Sequence, residues 1–339
     1  MIKGGCSDEL IDGVIWDGDS FSLTPRRDSR NKHQVWFASA SETHVPPYWF
    51  RPVGNYSWMS SMNYAKHYGT NTDFPNDAYH ARDIPGMKSW PRIEQSLLEN
   101  KKAGILYLSS NCRVQSERDD FVRRASQFMD IESPGSCFHN TEVPTQVKHL
   151  EEDANGNNLR MQWGDYSAGA HAIISLYRFR ILILSSLCVD YFAEKIEQTL
   201  NAGAIPIYLG APNSHDWDPG IAAGVHPAMI HIQDFESISE LADFVNYLGR
   251  ETESALSHRR RFFEYQGKEP FMFPRHGQRL LKLTGGASWE SFVCQRTHDG
   301  DANRRIDVQT PCAGPWWQYM ETIGKNLSLW GCTEAAPCS

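Results

Sequence analysis

The sequence predicts an α/β fold built on parallel sheets. Three observations carry that reading. Short apolar runs alternate with amphipathic helical segments through residues 100–250, the order that lays helices over a parallel sheet. The runs at 105–108, 181–184 and 204–209 are almost wholly apolar, as strands covered on both faces are. The chain has 339 residues, enough for two domains of ordinary size.

The elements follow in order. Residues 1–30 are polar and rich in Gly and Asp, and read as a loose leader. A short strand is expected over 34–38, then a polar turn at 41–44. Residues 45–92 hold many Pro, Tyr, Trp, Asn and His and few regular patterns, which predicts irregular loops. After the strand at 105–108, Ser116 is placed to cap a helix containing Phe121, Val122, Ala125 and Phe128. A strand at 130–132 runs out into Gly135-Ser136-Cys137. Residues 140–168 are polar, with Asn and Gly clustered at 155–158, and read as an interdomain linker before a short helix over 169–180. The best-defined stretch is 177–213. There a strand at 181–184 leads to a helix capped by Asp190, with Phe192, Ile196, Thr199 and Leu200 facing inward and Gly203 ending it. The next strands are 204–209 and 228–232. Ser237 then caps a helix to Leu248, and Glu240 completes a capping box. The tail from about 250 is basic at Arg259–Arg261, then irregular and cysteine-bearing. The divisions expected are a leader (1–30), an N-terminal acceptor-side α/β domain (31–160), a C-terminal Rossmann-like domain (161–290) and a tail (291–339).

Composition excludes several roles. A formal net charge of −8 gives no electrostatic support to nucleic-acid binding. No run of 18 apolar residues occurs, so no membrane span is expected. The eight cysteines contain no CxxC pair, which argues against a structural zinc site. In a lumenal protein they could form up to four disulfides; Cys112 and Cys137 both follow expected strand ends and are placed to pair. The 11 tryptophans suit either sugar stacking or a large aromatic core.

The segment 177–213 places a helix N-terminus at the mouth of a parallel sheet, a natural anion site to which a lysine adds a full charge. Tyr177, Phe179, Asp190, Tyr191, Glu194, Lys195, Ala202, Gly203, Pro206, Gly210 and Pro212 together resemble the donor-binding signature of the alpha-1,3-fucosyltransferases (family 10 glycosyltransferases), of which the chain looks like a divergent member. The resemblance implies a GT-B-like fold, two Rossmann-like domains facing across a cleft. It implies GDP-fucose as donor, with no metal strictly required and a divalent cation at most a stimulant. Lys195 is then expected on donor phosphate, Glu194 at the ribose hydroxyls and Tyr191 beside the nucleotide. Arg118, seven residues after Asn111, matches the family's second donor contact. Glu42, six residues after Trp36, matches the acceptor-domain Glu-Ser and is expected to be the general base, with His44 as fallback. Trp58 and Tyr64 loosely match an acceptor-side stretch. A glycan or glycoprotein acceptor, alpha-1,3 linkage to N-acetylglucosamine and a Golgi-lumenal location follow from the same resemblance.

One departure falls inside the signature. The family's Phe-Glu-Asn-Ser is here Ile183-Leu184-Ser185-Ser186. Ser185 can still hydrogen-bond a donor, but Leu184 cannot replace a carboxylate, a loss on the order of 1–3 kcal/mol for one buried polar contact. Two alternatives stay open: a non-catalytic glycan- or nucleotide-binding relative, and a transferase using a different nucleotide sugar. Three Asp-x-Asp triplets, at 17–19, 216–218 and 299–301, would serve a metal-dependent transferase of the other fold. None is expected to follow an apolar strand.

Overall fold

The computed structural model describes residues 13–17, 34–39, 64–67, 74–75, 101–145, 147, 168–268, 289–299, 312–333 and 338. Its strands are β1 (Gly13–Asp17), β2 (Val35–Ser39), β3 (Tyr64–His67), β4 (Phe74–Pro75), β5 (Lys102–Tyr107), β6 (Ile131–Glu132), β7 (Tyr177–Ile183), β8 (Leu187–Cys188), β9 (Ile205–Leu209), β10 (Ile230–His231) and β11 (Cys312–Ala313). Its α-helices are α1 (Arg118–Ala125), α2 (Ala168–Ser175), α3 (Glu194–Asn201), α4 (Pro219–Ala222), α5 (Ile238–Gly249), α6 (Glu253–Arg261), α7 (Trp289–Asp299) and α8 (Trp316–Thr322).

Two parallel sheets result, as the apolar runs predict. The first has four strands in the order β1-β2-β3-β4. β1 lies in the stretch expected to be a loose leader, and β3 and β4 lie in the stretch expected to be irregular. Val14-Ile15-Trp16 is too short an apolar run to stand out, and Tyr-Ala-Lys-His carries no strand pattern; both become strands only through pairing with β2. Val35, Phe37, Tyr64 and Phe292 form the core of this unit. Phe37 stacks on Tyr64 at 5.5 Å, and Phe292 meets Tyr64 edge-on at 5.9 Å. Tyr64 is therefore a core residue rather than an acceptor contact. Phe292 comes from α7, so a helix of the expected tail belongs to the first sheet.

The second sheet has the order β10-β9-β7-β5-β6, all parallel. It draws β5 and β6 from residues assigned above to the first domain. Seven consecutive buried residues make up β7. Odd-numbered residues such as Ile105, Phe179, Ile181 and Ile207 pack with α1, α5 and α8. Even-numbered Leu182, Leu184 and Tyr208 pack with α3. The two-residue period of a strand buried on both faces is thus satisfied by helices on each side.

At the amino edge, the buried Lys101 ammonium donates to Ser175 O and Ala202 O, both at 2.7 Å, joining the ends of α2 and α3. Gly203, at φ 68°, ends α3 in the expected left-handed conformation. The Ser237 hydroxyl accepts from Glu240 N, as the capping box requires, but the Glu240 carboxylate returns to Glu236 N and not to Ser237 N. Two expected caps are absent. Residue 193, not Asp190, precedes α3, and residue 117, not Ser116, precedes α1. In both cases the polar side chain joins two loops instead. The expected Cys112–Cys137 disulfide is present, and Cys332 pairs with Cys338. Cys188 is also disulfide-bonded, and its register partner in the β8–β11 ladder is Cys312.

Candidate donor-binding site

The order of the second sheet defines one special place on its carboxyl edge. From β5 the chain goes through α1 to β6 on one side, then crosses back to β7 on the other. The loops leaving β5 and β7 therefore diverge, and an open α/β sheet binds ligands at such a reversal.

Arg118 spans this place. It is the first residue of α1, and its side chain is buried. Nη1 donates to Ile183 O, the last residue of β7, at 3.2 Å. Nη2 donates to the Ser109 hydroxyl at 2.6 Å and to Asn111 O at 2.7 Å, both beyond β5. One guanidinium thus bridges both diverging loops, which a lysine could not do. Nε and one Nη1 hydrogen are left over, and Nε has no partner although it is buried.

Ser116 makes the second seam. Its amide donates to Ser185 O at 3.0 Å and its hydroxyl to Leu184 O at 2.6 Å. Between Ser116 and Arg118, Glu117 adopts a left-handed backbone at φ 52°. From the β7 side, Ser185 is half-buried and its hydroxyl lies 3.1 Å from the Tyr191 hydroxyl. Tyr191 is buried. Leu184 points into the apolar cluster with Tyr191, Phe192 and Tyr208, and its amide donates to Leu209 O at 3.0 Å. The residue that replaces the family's carboxylate thus serves as core.

Asp190 has φ 65° and is cross-braced to the loop after β9. Its amide donates to Asn213 Oδ1, and its own Oδ1 accepts from Asn213 Nδ2, each at 2.9 Å. This brace fixes the approach to α3, whose first two residues are Glu194 and Lys195. Lys195 is exposed at this helix start, and its carbonyl accepts the Thr199 hydroxyl at 2.6 Å. The Glu194 side chain, Glu42, His44 and Trp58 lie outside the described residues. Trp36 is in β2, buried, with its indole N–H donating to Gln34 Oε1 at 3.3 Å.

The Asp216-Trp-Asp218 triplet is structural at its second member. The Asp218 carboxylate accepts the amides of Gly220, Ile221, Ala228 and Met229 and meets His231 Nε2 at 3.0 Å. Cys112, Asp119 and Cys137 cluster closely, but the two sulfurs are bonded to each other.

Arg118, Ser185, Tyr191 and the start of α3 are thus brought to one edge. Ser109, Ser116 and Asn213 were missed as residues of this edge. The sequence carries little signal for them, because a serine or asparagine that joins two loops looks like any loop residue.

The family model described as the C-terminal part of glycosyltransferase family 10 (fucosyltransferase) matches residues 98–283. The chain belongs to this family. Similar proteins include GDP-fucose protein O-fucosyltransferase 3 of Homo sapiens, 25% identical over 246 residues, 70% of this chain and 47% of that protein. Alpha-(1,3)-fucosyltransferase B of Drosophila melanogaster is 26% identical over 247 residues, 70% of this chain and 50% of that protein. The chain spans about half the length of the curated relatives it matches. A crystal structure of an alpha1,3-fucosyltransferase with GDP is similar at 13% identity, with 82% of this chain and 78% of that one covered and a TM-score of 0.44.

Proposed function

We propose that this family 10 chain is an inverting fucosyltransferase that moves L-fucose from GDP-fucose to a hydroxyl of a glycoprotein acceptor. One observation carries the reading: within the span matched by the family model, Arg118 bridges the strand-order reversal at the carboxyl edge, from which the chain runs on after β7 to α3 and Lys195. Two cations and the positive end of a helix dipole suit a diphosphate.

In this mechanism Lys195 and Arg118 neutralise the leaving diphosphate, Glu194 holds the ribose hydroxyls, and Tyr191 and Ser185 line the nucleotide. The acceptor oxygen bonds to C1 of fucose as the bond from C1 to the β-phosphate oxygen breaks. That oxygen leaves with the electron pair as GDP, and the acceptor proton passes to Glu42. A single displacement converts the beta-linked donor into an alpha-linked product. In the sequence Glu42 follows the last residue of β2 by three positions. No metal has a required role, so EDTA should leave turnover in place.

Two acceptor classes follow from different observations. The resemblance implies O3 of N-acetylglucosamine in a glycan. The name of the human relative, a protein O-fucosyltransferase, favours a hydroxyl oxygen of a protein. The Cys112–Cys137 and Cys332–Cys338 bridges support an oxidising, lumenal compartment such as the Golgi. Among the described residues no helix is long and apolar enough to cross a membrane.

The test is titration with GDP, GDP-fucose and GDP-mannose, followed by transfer from labelled GDP-fucose to both acceptor classes. Binding of GDP and GDP-fucose with transfer to one class is expected. Lys195→Ala should weaken GDP by about tenfold or more; an unchanged affinity would remove the phosphate assignment. GDP binding without transfer would favour the non-catalytic reading, for which the core position of Leu184 speaks.

A further inference from the structure

The geometry points to the segment 312–325, beyond the span matched by the family model, as a clamp that sets the shape of the donor site, with Trp317 and Glu117 as positioning residues. The inference rests on the donor-site reading above.

This segment reaches the loops that leave β5, β7 and β10, and through Gln233 the loop that leaves β9. β11 pairs antiparallel with β8, directly after Ser185-Ser186. The Trp316 amide donates to Ser116 O at 2.9 Å, and its indole N–H to Asp120 Oδ2 at 3.3 Å. The Trp317 indole N–H donates to Glu117 Oε2 at 3.1 Å. The Tyr319 hydroxyl donates to Gln233 Oε1 at 2.7 Å, and Gln233 Nε2 lies 3.3 Å from His215 Nδ1. Lys325 pairs with Glu236 at 2.7 Å. No other stretch outside the matched span, among the described residues, touches these loops so widely.

The decisive contact is at Glu117. Its left-handed backbone is the step that turns the loop from Ser116, seamed to the β7 exit, into Arg118, which bridges to it. A glutamate adopts φ 52° only at a cost, whereas glycine would do so freely. Trp317 grips the Glu117 carboxylate, and Trp316 holds the residue before it. The clamp therefore maintains an unfavourable backbone state on which the direction of the Arg118 guanidinium depends.

Two substitutions separate this role from general stability. Glu117→Ala removes the carboxylate and keeps a Cβ in the left-handed state. Glu117→Gly removes the carboxylate and needs no anchor. Amide exchange over residues 111–118 would be followed in unliganded full-length protein, with GDP and GMP titrations and thermal midpoints on the same preparations. Faster exchange over this turn is expected in Glu117→Ala and Trp317→Phe, with GDP weakened about five- to tenfold and GMP less. Glu117→Gly should stay within about twofold of the unmodified protein, and adding Trp317→Phe to it should change nothing further. Unaltered exchange in Glu117→Ala and Trp317→Phe, or a Glu117→Gly as impaired as Glu117→Ala, overturns the clamp. So does a fall in thermal midpoint with the GDP-to-GMP affinity ratio preserved. Unmodified protein that fails to bind GDP strikes the donor reading alone, and the exchange data still judge the clamp.

Discussion

Replacing Arg118 by lysine would leave one ammonium to serve Ile183 O, the Ser109 hydroxyl and Asn111 O, which lie on two different loops. Arg118→Lys should lower stability by about 1–3 kcal/mol and weaken GDP roughly tenfold, read by denaturant unfolding and calorimetric titration. Gly210 is similarly exacting: a Cβ there would fall 2.0 Å from the Tyr208 hydroxyl and 2.9 Å from Leu184 Cδ1. Gly210→Ala should cost on the order of 1–3 kcal/mol. His215 carries a pH response. Its Nε2 lies 3.0 Å from Asp234 Oδ2, and this hydrogen bond raises the imidazole pKa above its ordinary 6.5 despite partial burial. Burial pushes the Asp234 carboxyl up, but the bond to His215 and the charges of His215, His231 and Lys325 together outweigh it and leave the group below 3.8. The imidazole contribution is present below pH 6.5 and fades as pH rises through the raised value; the carboxylate contribution is present above pH 3.8 and fades as pH falls through the lowered one. The gap in thermal midpoint between unmodified protein and His215→Gln should therefore shrink from pH 6 to pH 8. At this scale the sequence showed the positions of Arg118 and Lys195 but not their surroundings. Arg118 reads as a helix-start arginine; its bridge depends on a carbonyl 65 residues further along the chain.

Elements were legible where their own residues decide them. The Gly203 cap, the Ser237 cap and the strands of the second sheet rest on local pattern, and each appears within a few residues of its expected place. β1, β3 and the order of both sheets depend on long-range pairing, which leaves no local trace. Asp190 and Ser116 look like helix caps because capping and loop bridging call for the same small polar side chains. Lys101 shows the same limit at the other edge: it fills the place where α2 and α3 end together, with two hydrogen bonds from a charged donor. Lys101→Met would leave both carbonyls unsatisfied and should destabilise by about 2–4 kcal/mol, with amide exchange rising first at the ends of these two helices.

The family model ends at residue 283, but the packed molecule does not. Trp316 meets Phe121 edge-on at 5.2 Å, Trp330 lies 6.1 Å from the same ring, and both indoles are fully buried. A chain cut after residue 283 would uncover this side of α1. Loss of cooperative thermal unfolding and binding of a hydrophobic dye are expected; a truncated chain with an unchanged unfolding transition would contradict the packing. The sequence pattern of 291–339, taken alone, reads as an irregular tail because its aromatic residues find their partners on α1, far back in the chain.

The path of the chain adds a mechanical consequence. It leaves the first sheet before Lys102, returns to it in α7, and rejoins the second sheet at β11. Among the described residues three crossings couple the units, so a protease nick in any one would leave two fragments that share at least one unit and are held together by its packing. Any rocking of one unit against the other must flex all three connections in concert, and neither unit corresponds to a single contiguous piece of polypeptide that a gene fragment could encode.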